Sequence, residues 1–247
     1  MNNFSLYTKY YDLLNSEKKY DEECNYIEKL LNENFNNPKS ILEFGSGTGI
    51  HGLNLLNKGY DVYGIENSPE MVEIAKKNGY ECQVDDIEKF SLNKKFDSII
   101  ALFHVVSYLN TNEKLINTFK NAHKHLNIGG CFIFDVWYTP AVNYLKPSPR
   151  LRKISNDNYN IVRIAEPEIL ENQNVVNVDY EIIVEDKKSN KFDVIKERHP
   201  MRHFSIQEIK LLAIIAGFEF VRAEEFMSSE IPSKNTWGVC FILKKEK

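Results

Sequence analysis

Between Ser40 and Val136, short apolar runs alternate with helical stretches, and glycines mark several of the turns between them. Ser40–Phe44 is a compact apolar run ending in glycines, the pattern of a strand buried on both faces. Ile50, Leu53, Leu55 and Leu56 then mark a helix that ends near Gly59. Asp61–Glu66 predicts a second strand, and Ser68 before Pro69 caps a helix that runs to about Asn78. Residues 81–84 and 96–102 predict a third and a fourth strand, 113–126 a helix, and 131–136 a fifth strand after Gly129-Gly130. Strand, turn and helix repeated in this order imply a doubly wound, Rossmann-like α/β sheet that is mostly parallel.

The pattern changes after Trp137. Apolar residues alternate at period two in 159–164, 175–184 and 192–197, and the turns between these blocks are polar. This predicts an antiparallel β insertion with one face packed and one face wet. Ser205-Ile206-Gln207-Glu208 has capping-box spacing and opens a helix to Ala216-Gly217; strands follow at 219–224 and 237–243. Residues 7–36 read as helical, ended by Asn36-Asn37-Pro38. The chain therefore divides into an N-terminal helical cap (1–37), a cofactor-binding core (38–137), the insertion (138–200) and a return to the core (201–247), in a single domain.

A net charge of -4, from 31 basic and 35 acidic residues, gives no electrostatic reason for a nucleic-acid partner. The four cysteines are scattered and form no Cys-x-x-Cys pair, so the expectation is no metal and a reducing, cytoplasmic setting. The longest apolar run, 99–106, is interrupted by His104 and too short to cross a bilayer, and the N-terminus has no signal-peptide pattern, so no membrane partner is expected.

The most informative motif is Glu43-Phe44-Gly45-Ser46-Gly47-Thr48-Gly49, between the first strand and its helix. Glycines there let the backbone approach a ligand, and the helix start offers free N–H groups. Two ligand classes fit. Gly47-Thr48-Gly49-Ile50-His51-Gly52 matches the Gly-x-Gly-x-x-Gly dinucleotide fingerprint, but it begins three residues past the strand. Glu43 favours a cationic ligand over a pyrophosphate, because a carboxylate repels phosphate and attracts ammonium. S-adenosylmethionine, with a sulfonium, an ammonium and no phosphate, suits that acid. Glu66, at the end of the second strand, is placed to take ribose hydroxyls from either ligand. Asp86-Ile87 offers an acceptor for an adenine amino group and an apolar contact for its ring.

At these residues the chain resembles the class I S-adenosylmethionine-dependent methyltransferases. The resemblance implies S-adenosylmethionine as cofactor, S-adenosylhomocysteine as product, and a seven-stranded sheet whose last strand, 237–243, is antiparallel. The implied cofactor contacts are Glu43, Gly45, Ser46, Gly47 and Gly49 in the loop, then Glu66, Asn67, Met71, Asp86, Ile87, Leu102 and Phe103. Tyr7-Thr8-Lys9-Tyr10-Tyr11-Asp12-Leu13 with Lys18-Lys19-Tyr20 is similar to the N-terminal helices of sugar N-methyltransferases, so Tyr11 and Tyr20 are expected to close over the cofactor. The segment 102–109 and the antiparallel insertion resemble that group too, while 132–138 and 201–204 resemble a broader set of methyltransferases often associated with surface-sugar pathways. His104 stands where several of the amino-sugar enzymes carry a small residue.

Methyl transfer is an in-line displacement, so the protein must mainly hold and align the acceptor. A hydroxyl acceptor benefits from a general base and an amine must be neutral; His104, just past the fourth strand, is the candidate catalytic residue. Tyr108, Trp137, Tyr138, Arg202 and His203 are the candidate acceptor contacts, and His199 reads as structural or solvent-facing. The expected activity is methyl transfer to N or O of a small molecule, a nucleotide-linked sugar or sugar-like metabolite. An NAD-dependent oxidoreductase and an inactive nucleoside-binding module are the alternatives. The insertion is open to serve as a lid, a homodimer surface or both.

Overall fold

The computed structural model describes residues 3–34 and 38–247. Two helices, α1 (Asn3–Leu14) and α2 (Tyr20–Asn34), precede strand β1 (Ser40–Phe44). The core continues through α3 (Ile50–Asn57), β2 (Asp61–Glu66), α4 (Pro69–Lys77), β3 (Cys82–Val84), β4 (Phe96–Ala101), α5 (Asn112–His125) and β5 (Leu126–Trp137). A short helix α6 (Thr139–Leu145) leads into β6 (Arg150–Ser155), β7 (Tyr159–Leu170), β8 (Val175–Asp186) and β9 (Lys191–Arg202). Helix α7 (Ile206–Ala216) and strands β10 (Glu219–Glu225) and β11 (Gly238–Lys244) complete the chain.

The main sheet has seven strands in the order β10-β11-β5-β4-β1-β2-β3. The β1, β2, β3, β4 and β5 pairings are parallel, while β11 runs antiparallel to both β5 and β10. The expected Rossmann-like sheet with an antiparallel last strand is therefore present. Neighbouring residues along each strand serve opposite faces. Phe44, Ile99, Phe132, Phe134 and Phe241 pack into one apolar cluster, and Ile41, Ile100, Ile133 and Ile242 into the other. Burial on both faces explains why these strands read as continuous apolar runs, each buried Phe or Ile contributing about 1.5–3 kcal/mol. Ser68 accepts the Met71 N–H, and Ser205 with Glu208 forms the complete capping box.

Three expectations change. The N-terminal helical stretch is two helices, broken where the Asn15 side chain donates to the Tyr11 carbonyl and the Lys18 N–H turns back to Asn15. Its expected end at Asn36-Asn37 lies outside the described residues. The insertion has four strands, in the order β6-β7-β8-β9, and β9 runs to Arg202, beyond the boundary at 200. Strand β6 escaped because Leu151 and Ile154, its only large apolar residues, are three apart and break the period of two. Helix α6 was also unforeseen.

The insertion sheet docks through two apolar patches. Ile161, Ile182, Val184 and Ile195 pack on Tyr10 and Leu14 of α1, and Val176, Val178 and Met201 pack on Val142 of α6. Arg163, Tyr180, Glu197 and His199, on the same sheet face as these patches, line the cleft described next.

Candidate functional site

The glycine loop opens this cleft, whose volume is about 1130 Å³. Gly45, Gly47 and Gly49 have φ of 62°, 54° and 82°, left-handed values that favour glycine. A Cβ on Gly45 would lie 2.6 Å from a methyl of Val105, whereas one on Gly47 would meet nothing within 4 Å. Gly47 thus leaves room for a ligand at the backbone. Ser46 Oγ is buried with no hydrogen-bond partner among the described residues, although Ser46 lines the cleft. An orphaned hydroxyl and a glycine cradle fit a polar ligand seated on this loop.

Glu66 fixes the loop from β2. Its Oε2 accepts the Gly47 N–H and its Oε1 the Ser68 N–H, both at 2.9 Å. A carboxylate has about four acceptor sites, so two remain for a ribose. Thr48 donates to Asp12 Oδ1 at 2.8 Å, tying α1 to the loop. Asn67, Met71, Asp86 and Ile87 line the same end of the cleft, and so do Tyr11 and Tyr20 from the N-terminal helices. Burial, with Asp12 and Glu23 nearby, raises the Tyr20 phenol, so it stays a neutral hydroxyl at physiological pH.

Glu43 is placed differently from its expected role. It is 2 % exposed, does not line the cleft, and accepts the Tyr80 hydroxyl at 2.6 Å. Burial pushes its carboxyl up to about 7 against the pull of His51 and Tyr80. His51 stands between this acid and the cleft, with Nδ1 3.9 Å from Glu43 and Nε2 2.8 Å from Glu23. Gly49 and Gly52 also serve Tyr80. A Cβ at Gly49 would lie 2.7 Å from its ring, and one at Gly52 only 2.1 Å. The glycine that completes the literal dinucleotide motif is therefore a packing requirement of Tyr80, which removes the main support for a dinucleotide.

The opposite wall follows β4. Leu102, Phe103, His104 and Val105 line the cleft, and Phe103 and His104 are both left-handed, with φ of 64° and 63°. Each such residue costs about 1–3 kcal/mol and persists only where its surroundings hold it. Asp135 on β5 does so: its Oδ1 accepts the His104 N–H at 3.3 Å, and its Oδ2 lies 2.6 Å from His104 Nδ1. The side-chain approach is a charge contact more than an aligned hydrogen bond. Asp135 is 1 % exposed. Burial works to raise its carboxyl, but the imidazole and backbone N–H of His104, with Lys18, hold it below the ordinary value. The Lys18 ammonium lies 4.3 Å from the centre of the Phe103 ring and also pairs with Glu23.

The insertion closes the cleft. Tyr108, in the 3-10 turn Val105–Tyr108, shares a hydrogen bond of 2.8 Å with His199 Nδ1, and His199 Nε2 lies 3.1 Å from Glu197 Oε2. Trp137 packs against Trp237 at 5.5 Å and edges His104 at 6.1 Å. Arg152, Arg163, Lys196 and Arg198 also line this wall; Arg152 pairs with Glu17, Lys196 with Glu181 and Arg198 with Asp179, while the Arg163 guanidinium lies over the Tyr180 ring.

Three expected acceptor residues lie elsewhere. Tyr138 is buried in the core beside Phe204. Arg202 donates to Asn112 Oδ1 at 2.9 Å and stacks over Phe204. His203 is 1 % exposed and bonded to Thr139 Oγ1 at 2.9 Å. Tyr138 just after β5 and Arg202-His203 at the end of β9 meet in the seam between insertion and core, bridged at Tyr138 and Phe204. Conversely, His199 belongs to the cleft rather than to solvent, and Lys18, His51, Asp135, Arg163 and Glu197 were missed. Only the period-two spacing of Glu197 and His199 with the apolar Ile195 and Met201 signalled a shared face.

Comparison with known proteins agrees with this geometry. Residues 41–130 match the family model described as a methyltransferase domain. A putative methyltransferase of Bacillus subtilis is 26% identical over 96% of this chain and 95% of its own length. The dTDP-3-amino-3,4,6-trideoxy-alpha-D-glucopyranose N,N-dimethyltransferase of Streptomyces venezuelae is 30% identical over 53% of this chain and 56% of that enzyme. An S-adenosylmethionine-dependent methyltransferase from Clostridium acetobutylicum superposes with a TM-score of 0.82 at 21% identity, covering 96% of each chain, a likeness of fold.

Proposed function

We propose that this chain, an S-adenosylmethionine-dependent methyltransferase, methylates a nitrogen or oxygen of a sugar, in particular an amino sugar carried on a nucleotide. S-adenosylmethionine supplies an electrophilic methyl on a positively charged sulfur. The residues that would hold it are the glycine loop with Ser46, Glu66 for the ribose, and Asp86-Ile87 for the adenine. The observation that carries the reading is His104, held beside Asp135 between the glycine-loop end of the cleft and the insertion wall. The partial relationship to a dTDP-amino-sugar dimethyltransferase, with the Arg163 guanidinium in the insertion wall, supports a sugar bearing phosphate.

In this scheme His104 is the general base. Asp135 stabilises the imidazolium that forms and favours the ring tautomer with its proton on Nδ1, so Nε2 is free to receive a proton. Nε2 would take the proton that the acceptor amine or hydroxyl releases as its nitrogen or oxygen gains the methyl; the bound cofactor would supply that methyl and a neutral thioether leaving group. Trp137 and Trp237 exclude water from one side, and Lys18 with Tyr20 closes the other. Mass spectrometry of dTDP-linked amino sugars and their hydroxyl counterparts, after incubation with enzyme and S-adenosylmethionine, tests the reading. A methylated sugar is expected; unmodified sugars throughout the panel would refute it.

A further inference from the structure

Glu197 has a feature the methyl-transfer scheme leaves unused. It sits on β9 opposite Tyr180 of β8, with a side chain only 7% exposed, and it lines the cleft. Its Oε2 is the neighbour of His199, but its Oε1 is buried with no hydrogen-bond partner among the described residues. A buried carboxylate oxygen without a donor is costly, so such an atom in a cleft wall marks a place where a donor is expected.

Its surroundings define that donor. An ionised Glu197 only accepts, so His199 donates from Nε2, and the Nδ1 of a neutral ring then accepts the Tyr108 hydroxyl proton. Tyr108 lines the cleft and is 46% exposed. Tyr180 lies edge-on to His199 at 5.0 Å, and the Arg163 guanidinium lies 5.3 Å from the centre of the Tyr180 ring. By strand register, Arg163, Tyr180, Glu197 and His199 share one sheet face. The result is an acceptor, Glu197 Oε1, and a cationic donor, Arg163, beside aromatic surface, within a cleft that also holds His104.

We propose that Glu197 is the specificity-determining residue of the acceptor subsite, its Oε1 accepting a hydrogen bond from a ring hydroxyl of the sugar. Arg163 donates to an adjacent oxygen, and the His199–Tyr108 pair holds Glu197 in place. This assignment rests on the reading that the acceptor is a sugar. It gives the insertion a role in choosing the sugar, separate from the proton chemistry at His104.

Calorimetry on the full chain loaded with S-adenosylhomocysteine tests it, with dTDP-glucose and dTDP as probes. Wild type is expected to bind dTDP-glucose roughly tenfold or more tightly than Glu197→Gln does, the range of one charge-assisted hydrogen bond. The affinities for dTDP and S-adenosylhomocysteine should stay within about twofold, which also shows that the variant is folded. Equal dTDP-glucose binding by both proteins, or equal loss of dTDP and dTDP-glucose binding, would overturn the proposal. Methyl α-D-glucoside, followed by saturation-transfer NMR, separates the two readings. If neither nucleotide binds but the glucoside receives saturation in wild type and not in Glu197→Gln, the subsite stands and the nucleotide-linked reading fails. No saturation of the glucoside and no preference for dTDP-glucose over dTDP in wild type would remove the subsite.

Discussion

His104 Nδ1 lies 2.6 Å from Asp135 Oδ2, although one residue leaves the fourth strand and the other is buried in the fifth. The same carboxylate accepts the His104 backbone N–H, so one acid holds both the ring and the left-handed backbone that presents it. His104→Ala is expected to lower kcat by about 10²-fold or more and to leave S-adenosylhomocysteine affinity unchanged. Asp135→Asn should lower kcat while the acceptor KM and cofactor affinity hold, since Asp135 acts through His104. Steady-state kinetics with parallel calorimetry checks both; unchanged turnover in His104→Ala removes the base role.

Glu66 spends two acceptor positions on the N–H groups of Gly47 and Ser68. Glu66→Ala should therefore loosen the loop and remove the carboxylate proposed to hold the ribose. Affinity for S-adenosylmethionine is expected to fall by roughly tenfold or more, as for loss of charge-assisted hydrogen bonds. Calorimetric titration measures the change directly.

Gly52→Ala tests the packing reading of the dinucleotide-like motif. The added methyl would lie 2.1 Å from the buried Tyr80 ring. Overpacking of this kind costs about 1–3 kcal/mol, so Tm should drop by several degrees in a thermal scan. An unchanged Tm would show that the ring yields freely.

Glu43 makes stability depend on pH. Its folded carboxyl titrates at about 7, above the ordinary value of 4.5, because burial disfavours the charge. The folded chain therefore binds more proton than the unfolded chain between these values. Its contribution is fully present below pH 4.5 and is lost as pH rises through about 7. Glu43→Gln, which carries no such charge, should gain Tm relative to wild type from pH 5 to pH 8. A constant Tm difference across that range would contradict the burial account.

The sequence carried the core sheet well because its strands are buried on both faces and its helices carry caps and apolar stripes, as at Ser68-Pro69 and Ser205–Glu208. Residues tied to loop geometry were also legible: Gly45, Ser46, Gly47, Glu66 and His104 all reach the cleft. Residues whose direction depends on tertiary packing were not. Glu43 carries the expected acid but is turned under the loop toward Tyr80. Arg202 and His203 follow the insertion as expected, yet point into a seam. Asp135 meets His104 across 31 residues with no local signature, and the Glu197–His199 pairing shows in the sequence only as period-two spacing.

We propose that this cleft passes a methyl group from S-adenosylmethionine directly to a sugar, with His104 taking the acceptor's proton. The most direct measurement incubates the enzyme with S-adenosylmethionine carrying a carbon-13 methyl and a dTDP-linked amino sugar, and follows the label by NMR. A labelled methyl on a nitrogen or oxygen of the sugar is expected, formed far more slowly by His104→Ala. Label that never reaches the sugar, or that reaches it equally fast without His104, would contradict it.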